Sequence, residues 1–358
     1  MKKHRVGIIG ATGTVGQRLL SLLNGHPWFV VTELGASSNS KGKTYEEAVV
    51  ERWIFNSQIP ENVRDIVLKD AVKDAEVIAK NVDFVFCAIN LPKEETIELE
   101  EMYAKLECPV VSNNSANRLN ADVPLILPEI NPQHLDIIPV QKRRLGTKRG
   151  FIAAKPNCSL QSYVPALFPI LEFGVTEVLV CTYQAISGAG KTFETFPEMV
   201  DNIIPYIEGE EEKSEFEPLK IFGTIKNSKI VNASGPIFSA QCTRVPITDG
   251  HTACIFAKLN RDVSLEQIIE KWKNYENPIA KFSLPSAPNN FLTYYDEKDR
   301  PQIKLDRDLE NGMGIAIGRL RKDSLGNIKF VSTSHNTIRG AAGGAILLAE
   351  LLCAKDYI

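Results

Sequence analysis

Short apolar runs alternate with helical segments over the first half of the chain. The runs that predict strands are "RVGII" near the start, then "FVVTELGAS", "DFVFCAI" and "CPVVSNNSA". They are rich in the β-branched and aromatic residues that strands favour, and the helical segments lie between them. Strands that alternate with helices in this way predict an α/β fold with a doubly wound parallel sheet.

Three glycines connect the first strand to the first helix. Gly10, Gly13 and Gly16 follow "RVGII", and leucines at helical spacing then continue to Gly25. Glycines allow the backbone to approach a pyrophosphate, which the N–H groups and the positive end of the helix then hold. The alternative is a plain strand-to-helix turn, but the complete strand–turn–helix pattern favours a dinucleotide. The residues predicted to contact it are Gly10, Thr12, Gly13, Thr14, Val15 and Gly16.

The end of the second strand indicates which dinucleotide is bound. Residues 29–36 form one predicted strand, which places Glu33 in its middle and not at its tip. The tip itself, "SSNSKGK", is rich in hydroxyls and lysines, which suit a 2′-phosphate better than a bare 2′-hydroxyl. The sequence therefore predicts NADP over NAD, held in part by Ser37, Ser38 and Lys43.

The second half carries longer strands and an apolar C-terminal segment. One predicted strand ends at Gln184, another begins at His251, and "GMGIAIGRLRKDSLGNIKFVSTS" predicts a hairpin that turns at residues 325–327. The segment "SLEQIIEKWKNY" begins with a predicted capping box. The charge-rich segment "EGEEEKSEFEPLKIFG" predicts a solvated helix face. The chain ends in a helix whose glycine-rich start, residues 340–344, permits close packing.

Cys158 stands in "KPNCSLQSYVPAL", before apolar residues at helical spacing. In the first turn of a helix, the unpaired backbone N–H groups and the helix dipole favour a thiolate. The alternative is an inert cysteine, because free cysteines are commonly buried. His251, at the start of a strand, is a candidate general acid or base beside such a thiolate. Position alone leaves both alternatives open.

Composition and charge narrow the function further. At 358 residues the chain is long enough for two domains. A formal net charge of −3 gives no electrostatic footprint for nucleic acid or an anionic membrane. No apolar run approaches the roughly 20 residues of a membrane span. Seven cysteines without CxxC spacing predict reduced thiols in the cytoplasm, and with five histidines they form no metal-site pattern.

Seven motifs resemble aspartate-β-semialdehyde dehydrogenases, in the form found in archaea, fungi and some bacteria. They span residues 6–345 and are, in order, "GATGTVGQ", "SNNSANR", "DVPLILPEIN", "KPNCS", "QAISGAG", "RVPITDGH" and "NTIRGAAGG". The resemblance implies a Rossmann-type NADP-binding domain over residues 1–157, completed by a C-terminal helix in residues 336–358. It implies an α+β catalytic and dimerisation domain over residues 158–335, and a homodimer, with a homotetramer left open.

The resemblance also implies the reaction. β-Aspartyl phosphate is reversibly reduced by NADPH to L-aspartate β-semialdehyde with release of phosphate, in the biosynthesis of lysine (through diaminopimelate), threonine and methionine. Cys158 would be the nucleophile that forms a thioester, which suits a soft thiolate. His251 would be the general acid and base, and Gln184 would orient the substrate. Asn157 and the backbone N–H of Cys158 would stabilise the oxyanion.

Further residues resemble the substrate and cofactor contacts of this family. Arg244 would grip the substrate α-carboxylate with its planar fork. Glu217 would hold the α-amino group, with Glu215 as a near alternative, and Lys220 and Arg118 would hold the phosphate. Asn336 and the glycines after it resemble the stretch that lines the nicotinamide, and Ser187 and Gly188 are implied as further cofactor contacts.

Three other functions are compatible with parts of the sequence. An acyl-CoA reductase such as malonyl-CoA reductase would keep Cys158, His251 and Arg244, but it needs room for a CoA thioester. The pair Arg118 and Lys220 favours phosphate over that alternative. A cysteine hydrolase would leave the glycine turn without a use. A non-catalytic NADP-binding module would carry an inert Cys158.

Overall fold

Two six-stranded sheets organise the chain. The computed structural model describes residues 3–55, 57–325 and 327–358. The strands, in chain order, are His4–Ile9 (β1), Phe29–Ala36 (β2), Lys69–Asp70 (β3), Phe84–Cys87 (β4), Val110–Ser112 (β5), Ile152–Ala154 (β6), Val175–Gln184 (β7), Thr224–Lys226 (β8), Lys229–Val231 (β9), Ile237–Arg244 (β10), His251–Leu259 (β11), Leu292–Tyr295 (β12), Ile315–Lys322 (β13) and Ile328–Ser334 (β14).

Helices lie between these strands. In chain order they are Thr14–Leu23 (α1), Tyr45–Val49 (α2), Glu61–Arg64 (α3), Ala75–Asn81 (α4), Lys93–Lys105 (α5), Ile138–Leu145 (α6), Val164–Leu167 (α7), Glu210–Ile221 (α8), Leu265–Lys273 (α9), Ile303–Asp306 (α10), Leu309–Gly312 (α11) and Gly343–Ala354 (α12). Several single turns, among them Ser159–Ser162 and Ile186–Ala189, are 3₁₀-helical.

The first sheet is parallel throughout, with strand order β3-β2-β1-β4-β5-β6. The chain leaves β1 toward β2 on one side and later returns to β4 on the other. In doubly wound sheets, ligands bind in the crevice that this reversal opens at the carboxyl ends of the strands. The predicted doubly wound sheet is confirmed, and its crevice lies beside the glycine turn.

The second sheet is mixed, with strand order β10-β7-β11-β14-β13-β12. Its central pairs β7–β11 and β11–β14 are antiparallel, and β10 pairs with β7 in parallel. One face packs on α9 and on the segment after Cys158, as the buried positions Trp272, Ile255 and Phe330 show. The opposite face leaves apolar side chains exposed. The sheet therefore has one inner face and one apolar outer face.

The C-terminal helix returns to the first sheet. Ile346 and Leu347 of α12 lie in the same buried cluster as Val6 and Ile8 of β1 and Val111 of β5. Parallel sheets need apolar cover on both faces, and α12 supplies part of that cover. The last segment of the chain thereby packs on the sheet that the N-terminal strands form.

Several local predictions are confirmed at residue level. β2 spans residues 29–36, so Glu33 lies inside the strand, where it bonds to Asn81 and Lys69. β7 ends at Gln184 and β11 begins at His251. The capping box at the start of α9 is present. The hairpin of β13 and β14 is also present, although Gly326 in its predicted turn lies outside the described residues.

Two local predictions are wrong. Cys158 does not open a long α-helix, because a 3₁₀ turn, the four-residue α7 and a second 3₁₀ turn follow it. Pro165 and Pro169 lack the N–H groups that a continuous helical ladder requires. The charge-rich α8 is not simply a solvated face, because Glu217 and Lys220 on it are buried.

Within the described residues, no helix is long and apolar enough to cross a membrane. The same part of the chain holds no group of three or more side chains placed to bind a metal ion. All seven cysteines are free thiols.

A buried ion pair holds the C-terminal segment against the segment between β5 and β6. The Arg339 guanidinium donates to both carboxylate oxygens of Glu129, at 2.5 and 2.7 Å, and its Nε donates to Gln161 at 3.0 Å. The side chains of Arg339 and Glu129 are 1% and 0% exposed. Removing one partner of such a pair leaves a buried charge without compensation.

We expect Arg339→Met to lower the free energy of unfolding by about 3–5 kcal/mol, and Arg339→Met combined with Glu129→Leu to recover part of that loss. Denaturant unfolding of both variants measures the difference. Lys271→Met is the control, because Lys271 pairs with Glu172 on the surface and such pairs contribute less than about 1 kcal/mol. A single variant no less stable than the double variant would contradict this assignment.

Candidate active site

Three candidate residues lie in one row at the ends of neighbouring strands. Arg244, the last residue of β10, lies opposite Gln184, the last residue of β7, and Gln184 lies opposite His251, the first residue of β11. All three side chains are buried on the inner face of the sheet. The register of the sheet thus brings together residues that are 67 positions apart at most.

Cys158 faces this row from the loop after β6. Its Sγ lies 3.4 Å from Nε2 of His251, within hydrogen-bonding distance for sulfur. Gly340 also packs against this residue, because a Cβ placed there would lie 2.8 Å from Cβ of Cys158. A side chain at position 340 would therefore displace Cys158. The predicted nucleophile and the predicted acid–base residue are therefore in contact.

A cavity of about 140 Å³ opens at this thiol. It lies between the start of α1, the loops after β5 and β6, the turn after β7 and the start of the C-terminal segment. Its lining residues are Thr14, Val15, Asn113, Arg118, Lys155, Asn157, Cys158, Ser187, Gly188, Asn336, Thr337, Gly340 and Ala341. A larger cavity of about 690 Å³, beside Leu284 and Met313, contains none of the candidate residues.

The hydrogen bonds of His251 determine where its proton lies. The backbone N–H of Ala185 donates to Nδ1 at 3.1 Å, so in the neutral ring the proton is on Nε2, which points at Cys158. Burial lowers the pKa of His251 to about 3, and the cation of Arg244 acts in the same direction. The imidazole is therefore neutral at physiological pH and is placed to donate a proton to a group at the sulfur.

The environment of Cys158 corrects the expectation that a helix start ionises it. Burial raises the pKa of the Cys158 thiol above its ordinary value, and the Glu210 carboxylate acts in the same direction. The cations of Lys155, Arg118 and Arg244 act against this shift. A 3₁₀ turn of four residues has only a small dipole, so nearby cations are the groups that favour the thiolate.

Glu210, which the sequence analysis did not single out, belongs to the site. Its carboxylate accepts from the side-chain amides of Asn157, at 2.9 and 3.1 Å, and of Gln184, at 3.2 Å. Burial raises the pKa of Glu210, but Lys213 and the two amides together outweigh it and leave the pKa below its ordinary value. Glu210 is therefore an ionised carboxylate next to two predicted catalytic residues. One acid within a run of glutamates gave no sequence signal.

The three residues predicted to hold the amino and phosphate groups have protein partners. Glu217 accepts from Nη1 of Arg118 at 2.9 Å and from the backbone N–H of Asn157 at 2.8 Å. Lys220 donates to the carbonyls of Arg118, Asn120 and Val123 at 2.6 to 2.8 Å, which uses all three of its donors. Arg118 lines the cavity, and its buried Nε lacks a hydrogen-bond partner.

Lys155 and Asn113 are among the cavity residues that the sequence did not indicate. Lys155 lies in the quoted motif "KPNCS", three positions before the thiol, and Asn113 lies in "SNNSANR". The amide nitrogen and oxygen of Asn113 are both buried without a hydrogen-bond partner, which is typical of a group that waits for a ligand. Glu215, the alternative to Glu217, instead accepts from the backbone of Ala240 and does not line the cavity.

The cofactor-binding candidates lie at the crevice of the first sheet. Gly10 has a φ of +88°, and a Cβ there would lie 2.5 Å from the carbonyl oxygen of Ala88. The chain then passes the exposed Gly13 into the start of α1, where unpaired N–H groups suit a phosphate. Oγ1 of Thr14 lies 3.5 Å from the carbonyl of Gly190.

The remaining cofactor candidates fall into two groups. Nδ2 of Asn336 donates to Ser187 Oγ at 2.9 Å, which ties the start of the C-terminal segment to the turn after β7. At the carboxyl end of β2, Ser37, Ser38 and Lys43 are exposed. The exposed hydroxyls and amine, the N-terminus of α1 and the unpartnered amide of Asn113 together fit a phosphorylated dinucleotide.

Two family models match the chain. The model described as semialdehyde dehydrogenase, NAD binding domain, matches residues 5–138, and the model described as semialdehyde dehydrogenase, dimerisation domain, matches residues 167–339. An aspartate-semialdehyde dehydrogenase of Archaeoglobus fulgidus is 41% identical over 356 residues, which covers 99% of this chain and 100% of the relative. One of Candida albicans is 40% identical over 377 residues and 100% of both chains.

Solved structures agree with this match. A crystal structure of aspartate semialdehyde dehydrogenase with NADP from Candida albicans has a TM-score of 0.89 and 37% identity, with 100% of both chains covered. The fold also matches aspartate semialdehyde dehydrogenase II of Vibrio cholerae, with a TM-score of 0.74 and 24% identity over 100% of both chains.

We expect His251 to keep one tautomer, with Nδ1 unprotonated and Nε2 protonated, from about pH 5 to 8. Its pKa of about 3 and the Ala185 N–H that faces Nδ1 are the physical reasons. Two-dimensional ¹⁵N NMR of the histidine-labelled protein measures the state of each nitrogen, and His251→Asn assigns the signals. An imidazolium signal for His251 near pH 6 would contradict the geometry.

Proposed function

The chain belongs to the aspartate-semialdehyde dehydrogenase family, and we propose that it carries out the reaction of this family on Cys158, with His251 as the proton donor. The reaction is the reversible, NADP-dependent reductive dephosphorylation of β-aspartyl phosphate to L-aspartate β-semialdehyde, in the biosynthesis of lysine, threonine and methionine. The observation that carries the assignment is the 3.4 Å contact between Cys158 Sγ and His251 Nε2, in a cavity that reaches the start of α1.

The residues at the thiol account for the chemistry in the oxidative direction. The Cys158 thiolate attacks the aldehyde carbon, and the carbonyl oxygen becomes an oxyanion that accepts a hydrogen bond from the Nε2–H of the neutral His251. Oxidation of this adduct to the thioester requires a hydride acceptor, which NADP would supply when bound. The hydrogen bond from His251 weakens as the carbonyl reforms. Inorganic phosphate then attacks the thioester carbon, and the thiolate leaves as β-aspartyl phosphate forms.

Charges around the thiol suit an α-amino acid substrate. We assign the α-carboxylate to Arg244, whose buried Nη1 donates to the carbonyl of Ala185 at 2.8 Å and whose guanidinium keeps further donors. We assign the α-amino group to Glu210 in preference to Glu217. Glu210 is close enough to influence the pKa of Cys158, His251 and Arg244, whereas Glu217 is paired with Arg118.

Of Arg118 and Lys220, we assign the phosphate to Arg118. Arg118 lines the cavity and retains a buried, unpartnered Nε. Lys220 is engaged by three carbonyls, so its role in the proposal is to hold the loop that carries Arg118. An acyl-CoA reductase is not favoured, because the curated relatives named here are aspartate-semialdehyde dehydrogenases.

For the cofactor, we assign the pyrophosphate to the N-terminus of α1 and the 2′-phosphate to Ser37, Ser38 and Lys43. The support is the exposure of these three residues at the carboxyl end of β2. Glu33 is unsuited to a ribose contact, because it is 5% exposed and bonds to Asn81 and Lys69. Seven free thiols support a location in the cytoplasm.

The chain carries a dimerisation domain, and we propose a homodimer formed through the outer face of the second sheet. Leu179, Tyr183, Ile237 and Phe256 are 37 to 70% exposed there. Phe256 lies directly opposite Leu179 in the register of β7 and β11. An exposed apolar patch of this kind is typical of a protein–protein interface.

The experiment that tests the function measures phosphate-dependent reduction of NADP by L-aspartate β-semialdehyde. We expect Cys158→Ala to lower kcat by roughly 10⁴-fold or more, since the covalent nucleophile is lost, and to leave the Kd for NADP nearly unchanged. Cys353→Ala, another half-buried free thiol, is the matched control and should keep full activity. Activity in Cys158→Ala, or wild-type NADPH oxidation with malonyl-CoA and none with β-aspartyl phosphate, would overturn the proposal.

For the interface, we expect Leu179→Asp to convert the dimer to a monomer, because a carboxylate would be buried in an apolar contact. Light scattering measures the mass. Val77→Asp is the matched control, since Val77 on α4 is 49% exposed, close to the 56% of Leu179, and lies in the first half of the chain. A Leu179→Asp variant that keeps the wild-type mass would show that the outer face is not the interface.

A further inference from the structure

The mechanism requires a thiolate, yet the residue beside the sulfur is a neutral imidazole. We propose that Lys155 is the positioning residue whose ammonium group balances the Cys158 thiolate in the resting enzyme, so that the reactive state is a thiolate–ammonium pair instead of a thiolate–imidazolium pair. The inference deepens the proposed function, because it assumes that Cys158 is the nucleophile.

The location of Lys155 supports this role. It directly follows β6, is 3% exposed and lines the same cavity as Cys158. Its Nζ donates to the carbonyl of Pro156 at 2.5 Å and to the carbonyl of Gly340. Gly340 is the residue whose backbone touches Cys158, since a Cβ there would lie 2.8 Å from Cβ of the cysteine. The ammonium group is thus bonded to the backbone of the residue that packs against Cys158.

The hydrogen bonds of Lys155 leave one N–H donor and its positive charge without a partner. Two carbonyls take two of its three N–H donors, and none of its hydrogen bonds goes to a carboxylate. A buried ammonium without an anion nearby is strongly unfavourable. The anions that act on it are the Cys158 thiolate and, after it, Glu217, while Arg118 and Arg339 repel it. Of these two anions, Glu217 is already paired with Arg118.

The other groups around the sulfur do not fill this role as well. Burial lowers the pKa of His251 to about 3, so it carries no charge near neutrality. Among the cations that lower the pKa of Cys158, Lys155 acts most strongly, followed by Arg118 and Arg244. Burial and Arg118 lower the pKa of Lys155 to about 7, and the thiolate acts against that shift. The protonated form of Lys155 and the thiolate form of Cys158 therefore stabilise each other.

The pH dependence of Cys158 alkylation by iodoacetamide, measured without substrate or cofactor, tests the pair. Losing a cation raises the pKa of the thiol, so we expect the profile of Lys155→Met to move upward by about one pH unit or more. Alkylation at pH 7 should then slow about tenfold or more, with a similar limiting rate at high pH. Lys155→Arg keeps the charge and should keep a profile near that of the wild type.

Two control variants separate this effect from general damage. Lys69→Met removes a half-buried lysine that pairs with Glu33 and is not among the main groups acting on Cys158, and should leave the profile in place. Glu210→Gln removes the carboxylate that opposes the thiolate, so its profile should move downward. An unshifted profile in Lys155→Met, or an equal upward shift in Lys69→Met, would overturn the proposal.

A reciprocal measurement covers the case in which Lys155→Met does not fold. Coupling between two titrating groups is mutual, so Cys158→Ala should lower the pKa of Lys155, which NMR of the lysine-labelled protein follows. An unchanged Lys155 pKa in Cys158→Ala would overturn the pair by itself. These measurements use no substrate, so an intact pair in an enzyme without dehydrogenase activity would contradict the proposed function and not the pair.

Discussion

The register of three neighbouring strands is the constraint on which the site depends. Arg244, Gln184 and His251 share one row only because β10, β7 and β11 pair as they do. Side chains alternate between the two faces of a sheet, so a slip of one residue would turn His251 toward the face that carries Leu179 and Phe256. The same alternation separates the candidate catalytic residues on the inner face from the exposed apolar side chains of the outer face, through which we propose that the dimer forms.

Burial then decides which groups in the site carry charge. Desolvation keeps His251 neutral and opposes ionisation of Cys158, so the thiolate depends on cations that the fold holds nearby. Arg118 is paired with Glu217, whereas Lys155 is held by carbonyls that leave its charge unmatched. In the mechanism that we propose, the imidazole with its proton on Nε2 donates a hydrogen bond to the oxyanion, and a separate cation balances the charge of the thiolate.

Sequence predicted those parts of the site that local patterns specify. The turns "SGAGK" and "TDG" place Gln184 and His251 at strand ends, and the glycine turn after β1 predicts the start of α1. Glu210 and the role of Lys155 could not be predicted, because their importance comes from contacts between distant segments. The long helix predicted after Cys158 does not form, and the reason is local. Pro165 and Pro169 lack the N–H groups that helical hydrogen bonds require.

The most direct test of the account is rapid mixing of the enzyme with L-aspartate β-semialdehyde and NADP in the absence of phosphate. The account predicts a burst of one NADPH per active site, followed by a stop, because the thioester on Cys158 waits for phosphate. Mass spectrometry of the quenched protein should then find the acyl group on the peptide that contains Cys158. A burst without an adduct, or an adduct on another residue, would contradict the account.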